Sequence, residues 1–231
     1  MEDLWAYRGL LLQGTLTTIT LALSGLVVAV ALGLLGAWGK LGGSRAGLRA
    51  ANAYTTIVRS IPDICMMLLL YFGGQTLLNN IGQWTGLWDY IEINQFVAGT
   101  ITIGIIFGAY MTETFRGAYQ SIPKGQFEAA TAIGMTPVQS FRIITLPQLM
   151  GYAIPSLGVN WMVLLKTTAL VSIIGLQDVV WYALSAGRTT RNPFTFFLAV
   201  MVIYLILTFI SELVLRWLER RYTVGRRPAG A

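Results

Sequence analysis

Apolar residues dominate five stretches of the chain, at about residues 10–38, 52–78, 95–115, 151–177 and 194–215. At about 1.5 Å per helical residue, each is long enough to cross roughly 30 Å of hydrocarbon. The pattern predicts five transmembrane helices joined by polar connections. Gly33, Gly36 and Gly39 lie at the end of the first, and Gly104 with Gly108 marks one face of the third. Small residues at such positions let helices approach closely. Two prolines predict irregularities: Pro62 should bend or break the second helix, and Pro155 with Gly158 should interrupt the fourth near its start.

One stretch departs from the pattern. Residues 121–150, SIPKGQFEAATAIGMTPVQSFRIITLPQLM, are the one long polar interruption. Ser121, Pro123 and Gly125 break what precedes them, and residues 126–133 predict about two turns of helix. Gly134 is placed to end that helix in the left-handed conformation. Thr136 followed by Pro137 predicts an N-cap with proline at the first helical position, and a second helix to about residue 145. Leu146-Pro147 is expected to stop it, because the residue before proline is pushed out of the helical region.

Composition narrows the class. The chain is 55% hydrophobic and only 11% charged, with a mean hydropathy of +0.64. A soluble domain carries roughly 25% charged residues, so this is an integral membrane protein. There is no histidine, and the single cysteine, Cys65, supports neither a disulfide framework nor a zinc site. No G-x-x-x-x-G-K-[ST] occurs, so ATP hydrolysis through a P-loop of its own is excluded. Glu2 and Asp3 are the opposite of a signal peptide's basic start, and the first apolar run is expected to stay in the protein. No internal repeat is evident.

Charge sets the orientation. Lys40, Arg45, Arg49, Arg116, Lys124, Arg142 and the tail residues Arg216, Arg220, Arg221, Arg226 and Arg227 make eleven basic residues on one side of the predicted spans. Three, Arg8, Arg188 and Arg191, lie on the other. The loop at 79–94 carries Asp89, Glu92 and the aromatics Trp84, Trp88 and Tyr90 but no Lys or Arg. The positive-inside rule puts the N-terminus outside, the C-terminus in the cytoplasm, and residues 121–150 in the cytoplasm. The net charge of +6 is then a topology signal, and nucleic acid is not an expected partner. Trp5, Trp84, Trp181 and Trp217 read as interface anchors.

Charged groups at membrane depth are costly and tend to face a cavity, a bundle interior or a partner. Asp63 in the second span and Glu113 near the inner end of the third are candidates for a cation site. Arg59 and Arg116, four residues before and three after them, offer each a pair on its own helix, so local ion pairs remain the alternative. Asp63 falls at the expected break, and irregular backbone at membrane depth is tolerated where it lines a cavity or is buried in protein. Lys166, in the fourth span near Asn160, is expected to pair with Asp63 or Glu113, or else to face a substrate carboxylate.

Within the polar stretch, Glu128-Ala129-Ala130, Gly134 and Ile144-x-Leu146-Pro147 form one ordered pattern. It resembles the EAA loop of bacterial ABC importer permeases, which docks on the ATPase subunit. The likeness extends to LLQGTLTTITLALSG at 11–25, VRSIPD at 58–63, GAYMTETFRGAYQSIPKGQFEAA at 108–130 and LLKTTALVSIIGLQD at 164–178. Over nearly the whole chain it is similar to the polar amino-acid uptake group, and most like the first permease subunit of histidine/lysine/arginine/ornithine importers. That resemblance implies an all-α type I importer fold forming a single transmembrane domain in the bacterial inner membrane. It also implies two ATPase subunits that bind ATP and magnesium, no cofactor in this chain, a second permease subunit and a periplasmic substrate-binding protein. Glu128, Ala129, Ala130, Gly134, Leu146 and Pro147 would carry the coupling, and Asp63, Glu113, Arg59 and Lys166 the substrate path. Many related permeases have an apolar residue where this chain has Asp63, and an acid there agrees with a basic amino acid. Glutamine and opine permeases share most of these motifs and are the nearest alternative. A channel or proton-coupled carrier is the alternative class, and neither needs an ATPase dock.

Overall fold

The computed structural model describes residues 2–222, so Arg226 and Arg227 lie outside the described residues. Every regular element among them is helical. The helices are α1 (Glu2–Leu41), α2 (Arg45–Ser60), α3 (Asp63–Thr85), α4 (Gln95–Gln120), α5 (Lys124–Ala132), α6 (Pro137–Ile174), α7 (Val179–Thr190) and α8 (Pro193–Tyr222). Five of them, α1, α3, α4, α6 and α8, are long and apolar enough to cross a membrane.

The spine of the bundle is α1 against α4, the most extensive contact in the molecule. Glycines make it possible. A methyl group at Gly33 would come within 2.6 Å of Met111, one at Gly25 within 2.8 Å of Ile103, and ones at Gly36 and Gly104 would overlap Thr112 and Val28. Two backbones are thereby held close enough for Leu21, Ala29, Ile103, Ile106, Phe107 and Met111 to be buried between them and their neighbours. Met66 and Met67 join the same core, as packing residues.

The second span begins later than residue 52. α2 is a separate helix that turns back on α1 and α4, burying Ala51, Thr55 and Val58. Ser44 caps its start, accepting from the Gly47 N–H, and its end comes at Ile61, which takes an extended conformation (φ −98°, ψ 133°) before Pro62. The expected break at Pro62 is therefore real, and the membrane-length helix is α3, which starts at Asp63.

The fourth span corrects two expectations. Leu146-Pro147 does not stop a helix, and Pro155 does not interrupt one: α6 runs through both. Residues Phe141–Thr145 form a π turn just ahead of Pro147. Its wider ladder makes room for a ring that would strike the carbonyl four residues back in a regular helix. At Pro155 the residue four back is Gly151, whose backbone packs on the Tyr222 carbonyl of α8. The last turns tighten to a 3-10 segment, Thr168–Ile174, which ends at Gly175 with φ +89°.

Candidate coupling knob and intramembrane charges

The knob is assembled by local hydrogen bonds. α5 ends in a Schellman motif: the Gly134 N–H donates to the Thr131 carbonyl and the Met135 N–H to that of Ala130, each at 3.0 Å. Gly134 has φ +76° with open space around its Cα, so the position favours glycine for its backbone and not for room. Two residues later Thr136 begins the next helix with a complete capping box. Its hydroxyl accepts from the Gln139 N–H, while the Gln139 side chain accepts from the Thr136 N–H at 2.9 Å.

The EAA residues divide by face. Ala130 is buried, whereas Glu128 and Ala129 are exposed, as are Gly134, Leu146 and Pro147. Ile133, Val138, Phe141 and Ile143 are also exposed, each at half or more, on an element that the charge pattern puts outside the bilayer. An apolar surface on a polar knob makes it a candidate docking face. The knob is tied to the bundle by Phe127 against Tyr119, with ring centroids 5.9 Å apart, by buried Ile122, and by a Gln148 side-chain amide that donates to Gln126 at 3.3 Å. Because α6 is continuous from the knob into the membrane, a push on the knob acts directly on a spanning helix.

The intramembrane charges sort differently from the expectation. Glu113 is held by two cations: Lys40 of α1 at 2.5 Å and Arg116 of its own helix at 2.8 Å. Lys40 also donates to Thr55 of α2 at 2.8 Å, and its side chain is 6% exposed. This network ties α1, α2 and α4 together at the end from which the knob projects. Arg59 makes no ion pair with Asp63 among the described residues; its guanidinium lies 5.2 Å from the centre of the Tyr110 ring, in cation–π geometry. Asp63, half-buried, occupies the first turn of α3, where the helix dipole favours a negative charge. Lys166 meets neither acid. It is exposed on an open groove of about 450 Å³ between α6 and α8, together with Glu212 and Arg216, which pair with each other. Asn160 donates to Thr114 at 3.0 Å instead of attending Lys166.

Two participants were missed in the sequence. Lys40 reads there as a loop charge, and nothing local announces its link to Glu113, 73 positions away. Glu212 sits in the last apolar run, where its placement opposite Lys166 depends on how α6 and α8 pack.

Comparison with known proteins agrees with this geometry. The family model for the binding-protein-dependent transport system inner membrane component matches residues 29–224. The Escherichia coli (strain K12) histidine/lysine/arginine/ornithine transport system permease protein HisQ is 49% identical over 98% of this chain and 99% of its own. The octopine transport system permease protein OccQ of Rhizobium radiobacter is 38% identical over 96% of this chain and 93% of its own. Among solved structures, one described as an amino acid ABC transporter with histidines superposes with a TM-score of 0.80 at 28% identity, covering 94% of this chain and 96% of that one. The inward-facing MetNI methionine ABC transporter shares the fold, with a TM-score of 0.70 at 20% identity. With the matched region taking in four of the five spanning helices whole, the final third of the first, and the entire knob, the chain belongs to the family of binding-protein-dependent transport system inner membrane components.

Proposed function

We propose that this chain is the permease subunit of an ATP-driven importer of basic amino acids in the bacterial inner membrane. It forms the translocation path together with a second, homologous permease chain. A periplasmic binding protein delivers substrate, and two ATPase subunits, which bind the ATP and magnesium, dock on the exposed face of the knob around Glu128, Ala129, Gly134, Leu146 and Pro147. The observation that carries the reading is the knob itself, an exposed apolar face on a capped helical pair continuous with α6. ATP-driven closure of the ATPases moves the knob as a rigid body, and α6 with its packed neighbours opens the path alternately to either side.

Asp63 is the favoured contact for the substrate's cationic side chain. It is half-buried at the break between α2 and α3, with no ion-pair partner among the described residues. Glu113 serves as a structural acid, since Lys40 and Arg116 already neutralise it. In this reading Arg59, stacked on Tyr110, lines the approach, and Lys166, which pairs with neither acid, binds the substrate carboxylate. The identity of the relatives supports basic substrates over opines, with 49% to the histidine/lysine/arginine/ornithine permease against 38% to the octopine permease. ATP-dependent uptake of labelled arginine in proteoliposomes tests the reading. Competition by lysine or histidine but not glutamine is expected, with uptake weakened by Asp63→Asn. Uptake of glutamine instead, or an unimpaired Asp63→Asn variant, contradicts the assignment of Asp63.

A further inference from the structure

Asp178 is fully buried, and neither the coupling knob nor the substrate path uses it. It stands between the 3-10 turn that closes α6 and the first turn of α7, which it caps: Oδ1 accepts from the Trp181 N–H at 2.8 Å. Oδ2 is buried with no hydrogen-bond partner. Capping needs one oxygen, and asparagine or serine supplies it without a charge. An ionised carboxylate with an unsatisfied oxygen is unfavourable in such a place unless a counter-charge completes it.

Among the described residues no counter-charge faces it. The junction packs Val179 on α1, where a methyl group at Gly14 would lie 2.7 Å from the Val179 backbone and where Thr18 accepts from the Val179 N–H at 3.3 Å. On α1 the described basic side chain at that end is Arg8, which is exposed and stacked over Trp5. α7 offers Tyr182, whose hydroxyl donates to Gln177, and the exposed Arg188. α8 presents Tyr204, whose hydroxyl meets that of Thr168. α3, packed on the same 3-10 segment, carries no cation in its first turn, only Asp63, a second acid.

We propose that Asp178 is a proton-binding pin: its protonated carboxyl holds the start of α7 against α1 and α8, and loss of the proton loosens that end of the bundle. Burial raises the carboxyl to about 6, outweighing the backbone N–H groups of Trp181, Val180 and Asp178 itself that favour the anion. An acid that binds its proton more tightly in the closed junction than in the open one contributes most at low pH. That contribution is complete below about pH 4 and is lost as pH rises to about 6. The pin lies at the end of the bundle opposite the knob, on the face that the charge pattern places outside the cell, so it reads external acidity and is independent of which amino acid is carried.

Amide exchange of residues 176–190 tests this, in the assembled complex held in nanodiscs, with each rate divided by its intrinsic chemical rate at the same pH. The opening constant is expected to rise about tenfold per pH unit between about pH 4.5 and 6 and to level off above about 6.5. Asp178→Asn and Asp178→Ser keep a capping acceptor but carry no proton to lose, and each is expected to hold the constant flat over that range. A flat wild-type profile, or a slope that persists in either variant, overturns the proposal.

Discussion

The knob and the inner end of the bundle lie next to each other and are built by opposite means. In the knob, the contacts that set the turn between its helices join residues within a few positions: Gly134 to Thr131, Met135 to Ala130, Thr136 to Gln139. At the inner end of the bundle, Lys40 meets Glu113 across 73 residues, and Gly33 meets Met111 across two helices. The knob keeps its shape by its own internal bonds, as the proposed coupling role requires, whereas the bundle depends on close packing and a few buried charges. The two should respond differently to mutation.

The largest effect is expected from breaking the charge network. Glu113→Ala strands the Lys40 ammonium at 6% exposure, and loss of one partner of a buried pair costs about 3 kcal/mol. The thermal transition of the purified complex should fall, and a Lys40→Met, Glu113→Met pair should recover most of the loss, because both charges leave together. Next is Gly33→Leu, which drives a side chain into Met111 and should destabilise the bundle by about 2 kcal/mol, read in the same transition. Gly134→Val is smaller and confined to the knob. With open space around it, the cost is backbone strain of about 1–2 kcal/mol at φ +76°, visible as faster amide exchange in residues 124–145 with the bundle transition unchanged. Smallest is Thr136→Ala, which removes a cap contributing about 1 kcal/mol and should raise exchange only in the first turn of α6. Equal loss of bundle stability from Gly134→Val and Gly33→Leu would erase the distinction.

The same contrast explains what could be read from the residues alone. The turn of the knob was legible in the sequence, since Gly134 and Thr136-Pro137 specify their conformations without help from elsewhere, whereas the expected stop at Leu146-Pro147 was not there. The five spans and the break at Pro62 were legible from apolar length and from the geometry proline imposes on its predecessor. Pro147 and Pro155 misled because a proline's effect depends on the turn before it and the helix beside it, here a π turn and the α8 backbone at Tyr222. The second span was begun too early because the half of α2 from Asn52 carries a single charge, Arg59, and leads straight into the apolar run, while its role as a helix folded back on α1 depends on tertiary contacts. Arg59 shows the same limit: four residues from Asp63, it turns to Tyr110 on another helix.

The central claim is that the exposed face of the knob transmits ATP-driven motion to α6. The most direct measurement is ATP hydrolysis and arginine uptake recorded in the same proteoliposomes for the wild type and Glu128→Arg, a change on an exposed position of α5 that leaves the bundle's packing untouched. The account predicts that the variant inserts and assembles with normal thermal stability while the ratio of arginine moved to ATP hydrolysed drops severalfold. An unchanged ratio would contradict it and remove the knob from the coupling path.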